Sequence, residues 1–335
     1  MVLTSPPPPA TVVAQWRIGQ VTKIGRVATG MMNKNWRVDT DTGSYVLKLF
    51  LDVRGPQLAF QHRVLRSLAQ VGVPVPLPVP TRYDSETILV AGHEYGLFPW
   101  ITGVHRSGLS MTFERVTELG ATLGRIHATL RHTLPTRPAP YQSQAQTAIA
   151  ALANIDRLLD VVENRSTNTD FDRLAERTLR MKRGMLLRLA DRFPPPIPTT
   201  MAGYIHGDFH PHNVLLDRSD QVIAVLDWDR LRVGPYSREL VRAASFFFTY
   251  GDERGIDIER AAAFIAGYRS TYDIGPQAIA DGIHRLWWER LTENWIVEWH
   301  YLRKNTASDH LLAGQAALLQ WWTGRYDEVM QALTV

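Results

Sequence analysis

Cysteine is absent from all 335 residues, so disulfides, thiol nucleophiles and zinc–thiolate sites are excluded outright. Long hydrophobic runs are missing too; even Val241 to Tyr250 is short for a bilayer span and carries Arg242. Charge of one sign is in no large excess, since 37 basic and 33 acidic residues leave only +4, too little to point to nucleic acid. The first hundred residues hold 10 basic and 6 acidic side chains, a mild excess that solvated surface charge explains. Met1 to Ala10 has four consecutive prolines and neither the basic nor the apolar block of a signal peptide, so it reads as a loose tail. A soluble, cytoplasmic location is the default expectation. What is present is ordinary: 45% apolar and 10% aromatic residues suffice for two sizeable cores and exclude a mainly disordered or collagen-like chain.

The first hundred residues read as strands with one helix. Val21 to Val27 and Lys34 to Val38 flank the loop Ala28 to Asn33, and Ser44 to Phe50 follows a turn over Asp39 to Gly43. Gln57 to Val71 spaces Leu58, Val64, Leu65 and Leu68 as a helix does, with Gly72 as its stop. Val73 to Pro80 alternates with prolines and must be extended, and Thr87 to Ala91 and Tyr95 to Ile101 look like two more strands. After Gly103 the pattern turns helical over Phe113 to Leu130, Gln144 to Val162 and Leu174 to Arg192, with a polar linker around Asn164 to Asp170. From Ser237 to the end the chain is helical and rich in tryptophan, and there is no internal repeat.

The chemistry concentrates in Tyr204-Ile-His-Gly-Asp-Phe-His-Pro-His-Asn-Val-Leu-Leu-Asp217 and Gln221-Val-Ile-Ala-Val-Leu-Asp-Trp-Asp229. Asp208 and Asn213 stand five positions apart on a loop that Pro211 bars from regular helix. Val214 to Leu216 and Val222 to Leu226 should pair as a hairpin, which carries Asp227 back beside Asn213. Phosphoryl transfer asks for this set: a carboxylate to take the proton of the attacking hydroxyl, and an amide and a second carboxylate to hold magnesium by oxygen. It also asks for a strand lysine facing phosphates. The chain has five lysines, and Lys48 sits within Tyr45-Val-Leu-Lys-Leu-Phe50 among β-formers.

His206-Gly-Asp-Phe-His-Pro-His-Asn-Val-Leu with Leu226-Asp-Trp resembles the signature of the aminoglycoside phosphotransferase superfamily, which includes choline, homoserine and methylthioribose kinases. The resemblance runs from about Ile18 to at least Tyr268 and is specific over residues 204–229. It implies an α+β, bilobal, protein-kinase-like fold with a small β-rich N-lobe and a larger, mainly helical C-lobe. On that basis residues 1–15 would be a flexible tail, 16–101 the nucleotide-binding N-lobe, and 102–335 a C-lobe with catalytic loop and acceptor pocket. It implies ATP, Mg2+ and a small-molecule hydroxyl acceptor, with no nucleic-acid or membrane partner and no statement on oligomeric state. By position, Asp208 matches the catalytic base, Asn213 and Asp227 the metal ligands, and Lys48 the phosphate-binding lysine. Gly30 and Asn33 match the loop over the nucleotide, and Phe98, Trp100 and Ile101 the hinge whose backbone receives adenine.

One position departs from the family. Gln61 stands where a helix glutamate usually pairs with the strand lysine, and an amide gives no ion pair. Either the register shifts, a carboxylate arrives from elsewhere, or activity is reduced, which leaves a kinase-like nucleotide-binding protein of weak activity as the alternative. A gain on Gln61→Glu would mark an impaired site. His206, His210 and His212 offer a zinc reading that finds no second cluster in support. Asp229 reads as a cap after the hairpin, with a place in the magnesium shell as the other choice. Glu239 either supports the catalytic loop or sits on a helix surface. Trp288, Trp295 and Trp299 recur at helical spacings of seven and four, which favours core packing, while Glu289, Glu293 and Asn294 among them would suit a pocket wall for a cationic amine or a sugar. No Ala-Pro-Glu segment follows Asp227, which disfavours a protein acceptor.

Overall fold

A computed structural model describes residues 6–27, 33–134, 145–165 and 169–334. Gly30 and the rest of loop 28–32, the first residues of the tail, Gln144 and the middle of the 164–170 linker lie outside the described residues. The described chain forms two compact units, one from Met1–Arg106, Ala128–Leu134 and His206–Arg232, the other from Ser107–His127, Pro135–Ile205 and Val233–Val335. The segment His206–Arg232 falls in the same compact unit as the N-terminal sheet.

In the first unit, helix α1 (Pro9–Val13) precedes strands β1 (Val21–Val27), β2 (Lys34–Thr40) and β3 (Ser44–Phe50). Helix α2 (Pro56–Gln70) and strands β4 (Ile88–Val90) and β5 (His93–Pro99) complete the sheet segment. The five strands pair antiparallel in the order β1-β2-β3-β5-β4. Strand alternation sends Val38, Leu47, Leu49, Tyr95 and Leu97 to one face, where they pack with Val12, Val13, Trp16 and Ile18. The tail expectation for residues 1–15 thus fails past Pro8. Pro9 opens α1 at a position where its missing N–H costs nothing, Val12 and Val13 are buried, and the Trp16 indole donates to the Val79 carbonyl at 2.9 Å.

The second unit is mostly helical. Helices α3 (Phe113–Thr133, as far as His127), α4 (Ala148–Glu163) and α5 (Asp170–Leu189) come first. Strand β6 (Ala202–Ile205) follows, and after the hairpin strands β7 (Val214–Leu216) and β8 (Val222–Val225) of the first unit comes β9 (Arg232–Pro235). The remainder is α6 (Tyr236–Phe247), α7 (Ile258–Arg269), α8 (Pro276–Thr292), α9 (Trp295–Leu302), α10 (Leu312–Gly324) and α11 (Tyr326–Thr334). Thr169 and Asp172 close a capping box at the start of α5, satisfying donors the first turn leaves open. Helix α6 packs on α8, α4 on α5, and α11 on both α7 and α8. Among the described residues no helix is long and apolar enough to cross a membrane.

Candidate active site

The loop between β6 and β7 is shaped by side chains of its own sequence. Gly207 has φ +84°, and a Cβ there would fall 2.2 Å from the Arg230 carbonyl oxygen, so only glycine fits. The buried His206 ring accepts the Asp208 amide on Nδ1 at 3.1 Å, which leaves the hydrogen on Nε2 to donate to the Leu226 carbonyl at 2.9 Å. Pro211 opens a single 3-10 turn, Pro211–Asn213, in place of a helix. Within it the Asn213 amide nitrogen donates to the Asp208 carbonyl at 2.9 Å. Asp208 Oδ2 faces His210 Nε2 at 3.4 Å and Arg230 Nε at 3.7 Å.

The hairpin forms as its apolar runs dictate. Val214 pairs with Val225, and the Leu226 amide donates to the Asn213 carbonyl at 2.8 Å, so Asn213 and Asp227 emerge side by side from its open end. Asp227 adopts a left-handed backbone, φ 56° and ψ 72°, which aspartate tolerates better than most residues. The hairpin is moored to the sheet segment at three places. The Val225 amide donates to the Pro74 carbonyl at 2.8 Å, Val104 and Leu216 exchange backbone bonds of 2.9 Å, and Arg106 pairs with Asp220 at 3.1 Å. His105 Nδ1 lies 3.0 Å from the Val214 carbonyl and 3.2 Å from that of Pro211, tying the loop to the same segment.

Lys48 stands opposite Asn35 and Gly96 in the register of the sheet, on the face away from the apolar core. Its Nζ donates to Asp227 Oδ1 at 3.2 Å and to Asp229 Oδ1 at 2.8 Å. Asp229 Oδ1 also accepts from Gln61 Nε2 at 3.1 Å, and its Oδ2 accepts from Asn33 Nδ2 at 2.5 Å. Burial pushes the Asp229 carboxyl up, but the Lys48 charge and the bonds from Lys48, Gln61 and Asn33 outweigh it and hold the group below the usual carboxylate range. In place of the cap role expected of it, Asp229 turns its carboxylate to Lys48, Gln61 and Asn33. Asn33, expected over the nucleotide, directs its amide to this carboxylate. His105 and Arg230 escaped the sequence reading, which gave Asp229 and His210 other roles.

On the same sheet face a cavity of about 460 Å³ is lined by Lys23, Gly25, Arg26, Val27, Arg37, Asp39 and Trp100. Arg37 pairs with Asp39 at 2.8 Å and lies over the Trp100 ring at 4.6 Å from its centroid. Of the residues expected at the hinge, Trp100 gives its amide to the Ser44 carbonyl at 2.9 Å, so that donor is committed. Phe98 packs edge-on against Phe50 and His62, and Ile101 is half-buried beside them in sequence.

Other expectations change in the second unit. Trp288 is buried in α8, its indole donating to the Gln146 carbonyl at 2.8 Å, whereas Trp295 and Trp299 belong to α9 and pack edge-to-face at 5.3 Å. The spacing of seven spans a helix break at Glu293 and Asn294, so the three do not share one face. Glu289 is matched by Arg238 at 2.6 Å and Arg285 at 3.3 Å, and buried Asn294 accepts from Lys182 at 3.4 Å, so the anticipated acidic wall is largely neutralised. Glu239 is no surface residue: it is buried and accepts from His127 Nε2 at 2.8 Å, while His127 Nδ1 lies 2.7 Å from the Tyr268 hydroxyl. Zinc finds no support, since no group of three His, Asp or Glu among the described residues is arranged to hold a metal, and both His206 nitrogens are engaged.

A loop carboxylate, an amide, a hairpin-end carboxylate and a strand lysine lie in one compact unit, the residue types that phosphotransferases use. The chain belongs to the APH phosphotransferase enzyme family, whose model matches residues 23–275. It is 31% identical over 119 residues to a homoserine kinase of Burkholderia ambifaria, a match spanning 34% of this chain and only 35% of that protein's length. In fold it resembles an aminoglycoside phosphotransferase from Alicyclobacillus acidocaldarius, with TM-score 0.68, 16% identity and 99% and 95% of the two chains covered. A spectinomycin phosphotransferase bound to ADP and spectinomycin follows at TM-score 0.62, 16% identity and 97% and 95% coverage. The protein-kinase-like α+β class expected from the sequence is the fold these structures share.

Proposed function

We propose that this protein transfers the γ-phosphoryl group of ATP to a hydroxyl of a small molecule. The observation that carries the reading is the pairing of Lys48 with Asp227 at 3.2 Å, two residues 179 positions apart that phosphoryl transfer requires together. Asp208 accepts the proton of the acceptor hydroxyl as its oxygen attacks phosphorus and ADP leaves. Lys48 places its charge at the α- and β-phosphates. Asn213 Oδ1 and the Asp227 carboxylate are hard oxygen donors that fit Mg2+, and they would hold it. The ion would supply charge neutralisation on the phosphates. The cavity beside Trp100, with Lys23, Arg26 and Arg37 around it, suits a flat base and its anionic tail.

The test is Mg2+-dependent ADP release across aminoglycosides, amino alcohols and sugars, with Asp208→Asn alongside. Turnover should fall by about a thousandfold in that variant while nucleotide affinity stays near wild type. Equal turnover would remove Asp208 as the base. The weakly active alternative rested on Gln61. The carboxylate of Asp229 on Lys48 answers that objection and favours a working enzyme.

A further inference from the structure

Lys48 contacts two carboxylates of very different setting. The Asp227 side chain is 42% exposed, whereas that of Asp229 is 10% exposed and lies nearer the lysine. Three donors from distant segments converge on Asp229: Lys48 of β3, Gln61 of α2 and Asn33 at the start of β2. Gln61 is itself buried, and its Oε1 has no hydrogen-bond partner. The Asp229 carboxylate, an acceptor only, accounts for this orientation, because a turned amide would set oxygen against oxygen.

We propose that Asp229 is the positioning residue that fixes Lys48, and that the neutral Gln61 is matched to it by donating to the same oxygen. The inference rests on the kinase reading above. It removes a conflict within that reading: with Asp229 as counter-ion, Asp227 is not needed to hold the lysine and keeps its oxygens for the metal. A glutamate at position 61 would place a second carboxylate beside Asp229 in a buried site, where like charges repel strongly. Gln61→Glu should therefore impair the protein.

The experiment compares wild type, Asp229→Asn, Gln61→Glu and the double exchange Gln61→Glu with Asp229→Asn. Affinity for a non-hydrolysable ATP analogue, kcat and thermal unfolding without nucleotide are measured for each. Each single variant should bind the analogue about tenfold or more weakly than wild type. The double exchange returns one carboxylate and one amide to the pair and should recover to within roughly threefold of wild type. Gln61→Glu binding as tightly as wild type, or a double exchange no better than Asp229→Asn, overturns the inference. Should Asp229→Asn alone fail to fold, the double exchange decides: recovery of fold and binding supports the pairing, and failure of both overturns it. Wild type that binds no nucleotide would instead overturn the kinase reading itself, and this inference with it.

Discussion

His206 bonds to Leu226 across the base of the hairpin, Nε2–H to carbonyl oxygen at 2.9 Å, while the other ring nitrogen holds the Asp208 amide. One imidazole thus sets the spacing between the segment bearing Asp208 and the segment bearing Asp227. His206→Ala should lower kcat by about a hundredfold through misplacement of Asp208, with nucleotide affinity changed far less. Steady-state kinetics beside calorimetric nucleotide binding separate the two effects. A parallel loss of both would make the histidine a fold residue only.

Asn213 holds the Asp208 carbonyl with its nitrogen at 2.9 Å, and its oxygen is the atom proposed for the metal. Chelation of divalent ions should abolish turnover. Asn213→Ala should raise the Mg2+ concentration for half-maximal rate by about tenfold or more, since a ligand and the loop bond are lost together. A Mg2+ titration of initial rate checks this, and an unmoved midpoint would remove Asn213 from the metal site.

His62 is a buried group whose environment opposes protonation. It is buried on α2, with Nδ1 3.2 Å from Glu86 and Nε2 without a partner. Burial, then the charges of Arg66 and Lys48, push its pKa from 6.5 down to about 4. The neutral form is favoured in the fold, so this stabilisation is complete above the unfolded value and is lost as pH falls from 6.5 towards 4. The loss is on the order of 3 kcal/mol across that window. Denaturant unfolding between pH 7 and 4 should show it, and His62→Gln should flatten the slope. An equal slope in the variant would assign the acid sensitivity to other groups.

Glu239 and His127 form a buried pair across α6 and α3. Glu239→Ala strands a ring N–H without a partner and should cost about 3 kcal/mol, whereas Glu239→Gln retains an acceptor and should cost about 1 kcal/mol. Chemical denaturation of both variants measures the difference. Equal costs would mean that packing rather than the hydrogen bond matters there.

What could be read from the sequence was local. Asp208, Asn213 and Asp227 fall within twenty positions, around a proline and two apolar runs whose pairing is forced. Lys48 stood out because lysines are few and its neighbours favour strand. Asp229 was misread as a cap because its partners are 168, 181 and 196 positions away, and no short-range pattern reports them. The tail failed for a related reason: Val12 and Val13 are a minimal apolar pair whose burial depends on a sheet that comes later. The tryptophan spacing misled because Asn294 breaks the helix without glycine or proline.

The sheet unit is discontinuous in the chain, and this has a temporal consequence. During synthesis Lys48 leaves the ribosome 181 residues ahead of Asp229. At cellular rates of elongation that interval is roughly ten to thirty-five seconds. Through that time β3 carries a cation whose counter-ion does not yet exist, and the mooring between Pro74 and Val225 has no second strand to take. That face of the sheet is therefore completed only after α2 to α5 have been made. A nascent chain halted before residue 205 would hold Lys48 without either of the carboxylates that it pairs with.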